Sequence, residues 1–236
     1  MSVGDDAAIQ NAGQEGGRPM DRERYIRGTQ SEDSFTQLKE MRARLSEGFR
    51  LEHDRSLPFA DEVFDRWERA QRLGFGSGSS IYDSALVFGE PVVGENVWIG
   101  PNTIIDGSGV LSIGDHCTIA VGVQLYTHDN VKQTLTGGLA PIDRSPIFIG
   151  RCTYIGPNTV VQRGVTIGDH CVVGVGSFVN RDLPDYSIAV GSPARVIGRV
   201  VVDGDEVAFE YDGKDLELVA DSMIDRHVRI DRPAQP

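Results

Sequence analysis

IGRCTYIGPNTVVQRGVTIGDHCVVGVGSFV, residues 149–179, places an aliphatic side chain at every sixth position: Ile149, Ile155, Val161, Ile167, Val173 and Val179. Upstream the same count runs through Ile81, Val87, Val93, Ile99 and Ile105. After a two-residue insertion in DGSGVLS it resumes at Ile113, Ile119 and Leu125. The residue after the aliphatic is Gly at 94, 100, 114, 150, 156, 168 and 174, and the fifth of each hexad is mostly small or β-branched, as at Thr103, Cys117, Val123, Thr159 and Ser177. A helix needs a 3.6-residue period, which these positions lack. One large aliphatic per six, with turn residues between, suits short flat strands whose inward side chains stack coil upon coil. Each such burial is worth roughly 1.5–3 kcal/mol. The expected architecture is a parallel β-solenoid.

The bulk numbers set limits. The chain has 236 residues, is 39% hydrophobic and carries a formal charge of -12. That charge argues against general affinity for nucleic acid or anionic membranes, while leaving room for a local basic pocket. No apolar run is long enough for a membrane span, and MSVGDDAAIQNAGQEGGRPM lacks the apolar core of a secretory signal. Cys117, Cys152 and Cys171 are odd in number and without CxxC spacing, which points to free thiols and a reducing cytoplasm rather than a disulfide framework or zinc knuckle.

The units IGPNTI, IGDHCT, IGPNTV and IGDHCV resemble the hexapeptide-repeat acyltransferases, over about residues 80–199. The run VTIGDHCVVGVGSFVNRDLPDYSIAVGSPARVIGRV is similar to the terminal coils and exit of the maltose and galactoside O-acetyltransferase branch. The resemblance implies an all-β fold, a left-handed parallel β-helix with three hexads per coil. It also implies acetyl-CoA as donor, a sugar-containing acceptor, no required metal, and a homotrimer with sites between neighbours.

The rhythm stops at LYTHDN, residues 125–130, and the following VKQTLTGGLAPIDRSPIF has no aliphatic repeat. The expectation is a loop over residues 131–148, thrown out of the wall between two coils; loops on a rigid scaffold commonly carry sites. In the family the catalytic histidine lies just before such an excursion, which places His128 as general base. Imidazole titrates near neutrality and suits removal of a proton from an attacking hydroxyl or amine. Its alternative is a polar turn residue. His116 and His170, both in IGDHC, read as turn positions.

Alignment with the branch implies donor contacts at Pro157, Val175, Asn180, Arg181, Arg195 and Arg199, with Tyr154 where the family often has Trp. The alternative for each arginine is a solvated charge. An acceptor-binding Asn of the galactoside enzyme falls here near Gly100, so that contact is missing or moved. Trp98, Asn102 and Asp106 are the acceptor candidates on the wall before the loop, each of them open to a purely structural reading.

Outside the repeat, residues 1–19 read as a disordered tail. Residues 20–79 read as a helical cap, with DSFTQLKEMRARLSEGF as one helix capped by Ser34, and ADEVFDRWERAQRLGFG as a second with Val63, Phe64, Trp67, Ala70 and Leu73 on one side. Residues 80–199 form the β-helix. In the extension 200–236, VVDGDEVAFEYDGK reads as a hairpin turning at Asp-Gly. Competing readings are N-acetylation of an amino sugar, a metal-dependent carbonic anhydrase of the γ type, for which no His pair at i, i+5 exists, a serine acetyltransferase without its helical N-domain, and a non-catalytic solenoid.

Overall fold

A computed structural model describes residues 21–211; the expected tail at 1–19 and the chain beyond the C-terminal hairpin lie outside the described residues. The chain divides into two compact units, Met1–Leu57 and Pro58–Pro236. In the first, helix α1 spans Ser31–His53 and buries none of its residues. It starts three residues before the expected cap Ser34. Thr29 Oγ1 accepts from the Ser31 N–H at 3.3 Å, and Glu32 reaches back to the Gly28 N–H at 2.7 Å, so the first turn is already satisfied upstream.

The second unit is the solenoid. Its first face stacks Ser80–Ile81, Trp98–Ile99, Thr118–Ile119, Tyr154–Ile155 and Val172–Val173 in parallel, then Ser187–Val190. The second stacks Leu86–Gly89, Ile104–Gly107, Gln124–Leu125, Val160–Val161 and Phe178–Val179. The third stacks Val92–Val93, Leu111–Ile113, Ile147–Ile149 and Thr166–Ile167. The repeat aliphatics fall in register, Ile81 on Ile99 on Ile119 on Ile155 on Val173, and every one of them is buried except Val87, which is partly so. The architecture is a left-handed parallel β-helix of hexapeptide repeats.

The corners explain the Gly and Asp of each unit. A Cβ on Gly150 would lie 2.3 Å from Asp169 Oδ1, the oxygen that accepts the Arg151 N–H at 2.9 Å from one coil below. Between the third and first faces, Asn96, His116, Cys152, His170 and Tyr186 all take positive φ. His116 and His170 are thus turn residues, and the His170 ring stacks on Tyr186 at 4.9 Å.

The expected second cap helix is two pieces, α2 (Phe59–Val63) and α3 (Arg66–Arg72). Phe64 is extended between them, and Asp65 caps α3 by accepting from the N–H groups of Trp67 and Glu68, both at 2.9 Å. Only Ala70 of the expected apolar side is fully buried; Phe64, Trp67 and Leu73 are exposed. Polar bonds tie these helices to the first coil: Asp61 accepts the Asp83 N–H at 2.6 Å, and Arg69 donates to the Tyr82 and Ala85 carbonyls. At the other end the hairpin forms as expected, Arg195–Asp203 against Glu206–Tyr211, extending the first face.

Candidate active site

Two departures from the hexad period fall on one corner. The wall leaves the second face after Gly107, at the two-residue insertion, and one coil later after Leu125, at the long one. Because Ile105 pairs with Leu125, DGS and YTH run side by side there. Gly109 permits the close approach, since a Cβ on it would lie 2.5 Å from the Thr127 carbonyl oxygen. The long excursion therefore opens within a coil, between its second and third faces, not between two coils. Ile147 and Phe148, expected in the loop, already belong to the third face.

Asp106 is completely buried and sits behind His128. Its Oδ2 lies 2.6 Å from His128 Nδ1 and accepts from the Thr127 N–H at 2.8 Å and the Thr127 hydroxyl at 2.9 Å. Its Oδ1 accepts from the Ser108 hydroxyl at 2.5 Å and the Ser108 N–H at 3.0 Å. Burial alone would raise the carboxyl's pKa; the bonds from Ser108, His128 and Thr127 outweigh it and hold the group well below the usual carboxylate range. An ionised carboxylate only accepts. His128 Nδ1 must therefore carry the hydrogen, and in the neutral ring Nε2 keeps the lone pair. Ser108 Oγ also lies 3.1 Å from Nδ1. It stands on the orienting side of the ring, where it does not receive the Nε2 base of a nucleophile triad.

The excursion is a stem with a short head. His128–Asp129 pairs antiparallel with Asp143–Arg144, and the head contains the helix Val131–Leu135. Arg163, at the same corner one coil on, holds both strands: it bonds Asp129 on the outgoing strand and Asp143 and Ser145, each at 3.4 Å, on the return. The Gly164 N–H donates to the Pro146 carbonyl at 2.9 Å beneath it. An open hollow of about 230 Å³ adjoins the ring, lined by Tyr126, His128, Asp129, Val160, Gln162, Arg163 and Phe178.

Residues 146–181 match the family model for bacterial transferase hexapeptide repeats, and residues 92–127 that for the hexapeptide repeat of succinyl-transferase. Galactoside O-acetyltransferase of Escherichia coli K12 is 34% identical over 144 residues, 52% of this chain and 70% of that protein. The chain belongs to the hexapeptide-repeat acetyltransferases. A second member of this family, the putative colanic acid biosynthesis acetyltransferase WcaF of E. coli K12, is 36% identical over 107 residues, 44% of this chain and 56% of that one. Among solved structures, a hexapeptide-repeat-containing acetyltransferase from Vibrio cholerae superposes with TM-score 0.51 at 26% identity, covering 70% of this chain and 92% of that one.

Within this acetyltransferase the expected contact residues do not converge on a single chain's corner. Asn180 and Arg181 follow Val179 at the corner of His128, two coils along. Pro157 and Val175 occupy the opposite edge of the second face, at the turns after Ile155 and Val173, and Tyr154 lies on the first face. Arg195 and Arg199 are on the exit strand, exposed, with Arg199 paired to Glu210 at 2.6 Å. Trp98 lies on the first face edge-on to Tyr82, and Asn102 is a positive-φ turn residue at the far edge. Of the three acceptor candidates only Asp106 stands at His128, and its carboxylate is engaged by protein groups instead of facing a ligand. Among the described residues no group of three or more His, Cys, Asp or Glu side chains is placed to hold a metal, and no helix is long and apolar enough to cross a membrane.

Proposed function

We propose that the protein transfers an acetyl group from acetyl-CoA to a hydroxyl of a sugar-containing acceptor, with His128 as general base. One observation carries this reading: the 2.6 Å contact of His128 Nδ1 with a fully buried carboxylate, which in the neutral ring leaves Nε2 as the free base of a histidine that lines the open hollow. Nε2 takes the proton of the acceptor hydroxyl as its oxygen attacks the thioester carbon, and returns that proton to the departing thiolate. Asp106 orients the ring and stabilises the imidazolium formed in between; Ser108 and Thr127 keep Asp106 ionised. This is direct transfer, with no acyl-enzyme on Ser108.

The donor contacts assigned to Tyr154, Pro157, Val175, Asn180, Arg181, Arg195 and Arg199 belong to the same proposal. The division of Pro157 and Val175 from Asn180 and Arg181, at opposite edges of the second face, supports a homotrimer in which the far edge of one copy completes the His128 corner of the next. The sugar acceptor is supported by the names of the galactoside and colanic acid relatives, and the three free thiols support a reducing cytoplasm. Thiol release from acetyl-CoA across a panel of sugars, with wild type and His128→Ala, tests the reading. Transfer should require His128; equal turnover by the variant would remove the assignment.

A further inference from the structure

The two-residue stem that carries His128 has two faces, and their charges are sorted. Successive residues of a strand point to opposite sides, and residues directly opposite one another in an antiparallel ladder share a side. Asp129 is opposite Asp143, and Arg144 is opposite His128. The two carboxylates turn to Arg163, and Asp143 also receives Lys132 at 2.9 Å. The other side therefore presents the imidazole and the Arg144 guanidinium together. Their Cβ atoms are about 4.5–5.5 Å apart by the geometry of such pairs.

Arg144 is exposed, and its side chain makes no hydrogen bond or ion pair among the described residues. The basic side chains on either side of the stem, Lys132 in the head and Arg163 on the next coil, are each matched to a carboxylate. In a chain of formal charge -12 this guanidinium is left open on the residue paired with the proposed base. A planar fork of N–H donors is the group best shaped to grip a carboxylate or phosphate. The phosphates of the donor lie at the far end of its pantetheine arm from the thioester. An anion held beside the reacting atoms thus belongs to the acceptor.

We propose that Arg144 recognises a negatively charged group, carboxylate or phosphate, on the sugar that accepts the acetyl group. This rests on the sugar acetyltransferase reading above and names its substrate class: an acidic sugar, with Arg144 setting specificity and taking no part in proton transfer.

The test uses the full chain, acetyl-CoA, and three acceptors: methyl glucoside, methyl glucuronide and glucose 1-phosphate. In the wild type at least one acidic acceptor should have a KM some 10-fold or more below that of the neutral glucoside. Arg144→Ala should raise that KM about 10–100-fold, the size of one or two hydrogen bonds to a charged group. The kcat, and the KM for methyl glucoside, should stay within about two-fold, and Arg144→Lys should recover part of the loss. The glucuronide and phosphate arms separate the two anion sources. Equal KM values for neutral and acidic sugars, or acidic KM values indifferent to Arg144→Ala, would overturn the proposal. So would a uniform fall in kcat at constant KM, which would place Arg144 on the developing oxyanion instead. Calorimetric binding of the same sugars to His128→Ala and to His128→Ala/Arg144→Ala needs no turnover. If no sugar is acetylated, the functional reading fails, while calorimetry still decides Arg144.

Discussion

Asp106 and His128 are 22 residues apart in the chain and 2.6 Å apart in space. That contact makes His128→Ala the first expectation. A positioned base contributes about 10²–10⁴-fold, and kcat should fall by that range. Far-ultraviolet circular dichroism should be unchanged, because the ring is half-exposed and outside the stacked core.

Asp106→Asn keeps the shape but exchanges an acceptor for a group that also donates, so Nδ1 loses the partner that fixed its tautomer. The kcat should drop about 10²-fold or more. Stability should fall by about 1–3 kcal/mol, since Thr127 and Ser108 lose a charged acceptor. The pH dependence follows from the depressed folded pKa: the carboxylate's contribution is complete above the unfolded value, near 4, and is lost as pH falls toward the lower folded value. The part of the gap between wild-type and variant denaturation midpoints that comes from this carboxylate should therefore shrink as pH falls below 4. It should vanish in strong acid. A gap that widened below pH 4 would contradict the assignment.

Arg163→Ala should loosen the stem without unfolding the helix. Ion pairs still open to solvent, as these partly buried ones are, add little to stability, so the melting temperature should move by a few degrees at most. A base displaced by about 1 Å can lose up to 10²-fold, so kcat should fall about 10–100-fold, and Arg163→Lys should retain part of the activity. Limited proteolysis should cut the variant faster between residues 130 and 142 than the wild type.

The three thiols should separate by reactivity. Burial pushes the Cys117 thiol up to about 11, against the opposing pull of the Thr153 backbone, and burial raises Cys171 likewise. Cys152 is exposed. A disulfide reagent at pH 8 should titrate Cys152 quickly in the native protein, and the other two only on unfolding, because the thiolate is the reactive form.

The helix was legible because one buried aliphatic per hexad is a condition of its coils, and nearly every repeat position is buried as expected. Val87 is the exception, on the first and least covered strand of its face. The place of His128 was equally readable from the interrupted count. Its partners were not, although Ile105 and Leu125 were both in the count. Aligning them sets Asp106 and Ser108 beside Thr127 and His128, but the hexad count treats DGSGVLS only as an interruption and leaves Asp106 open to both an acceptor and a structural role. Arg163 gave no signal, since its role depends on a stem that periodicity does not describe. In the cap, Asp65 followed three residues later by Glu68 is a helix-start pattern inside what read as one helix. The proposed donor residues lie scattered over two edges, a face and the exit strand, because a fold made of repeats offers the same turn many times over.

The stem closed by residues 128–129 and 143–144 also separates the head from the coils. Everything that tunes the imidazole lies at or below the ladder, and the head beyond it hangs from two short strands clamped by one arginine. Replacing residues 130–142 would leave every coil in step. The head is thus a segment whose exchange disturbs neither the stacked coils nor the contact of Asp106 with His128.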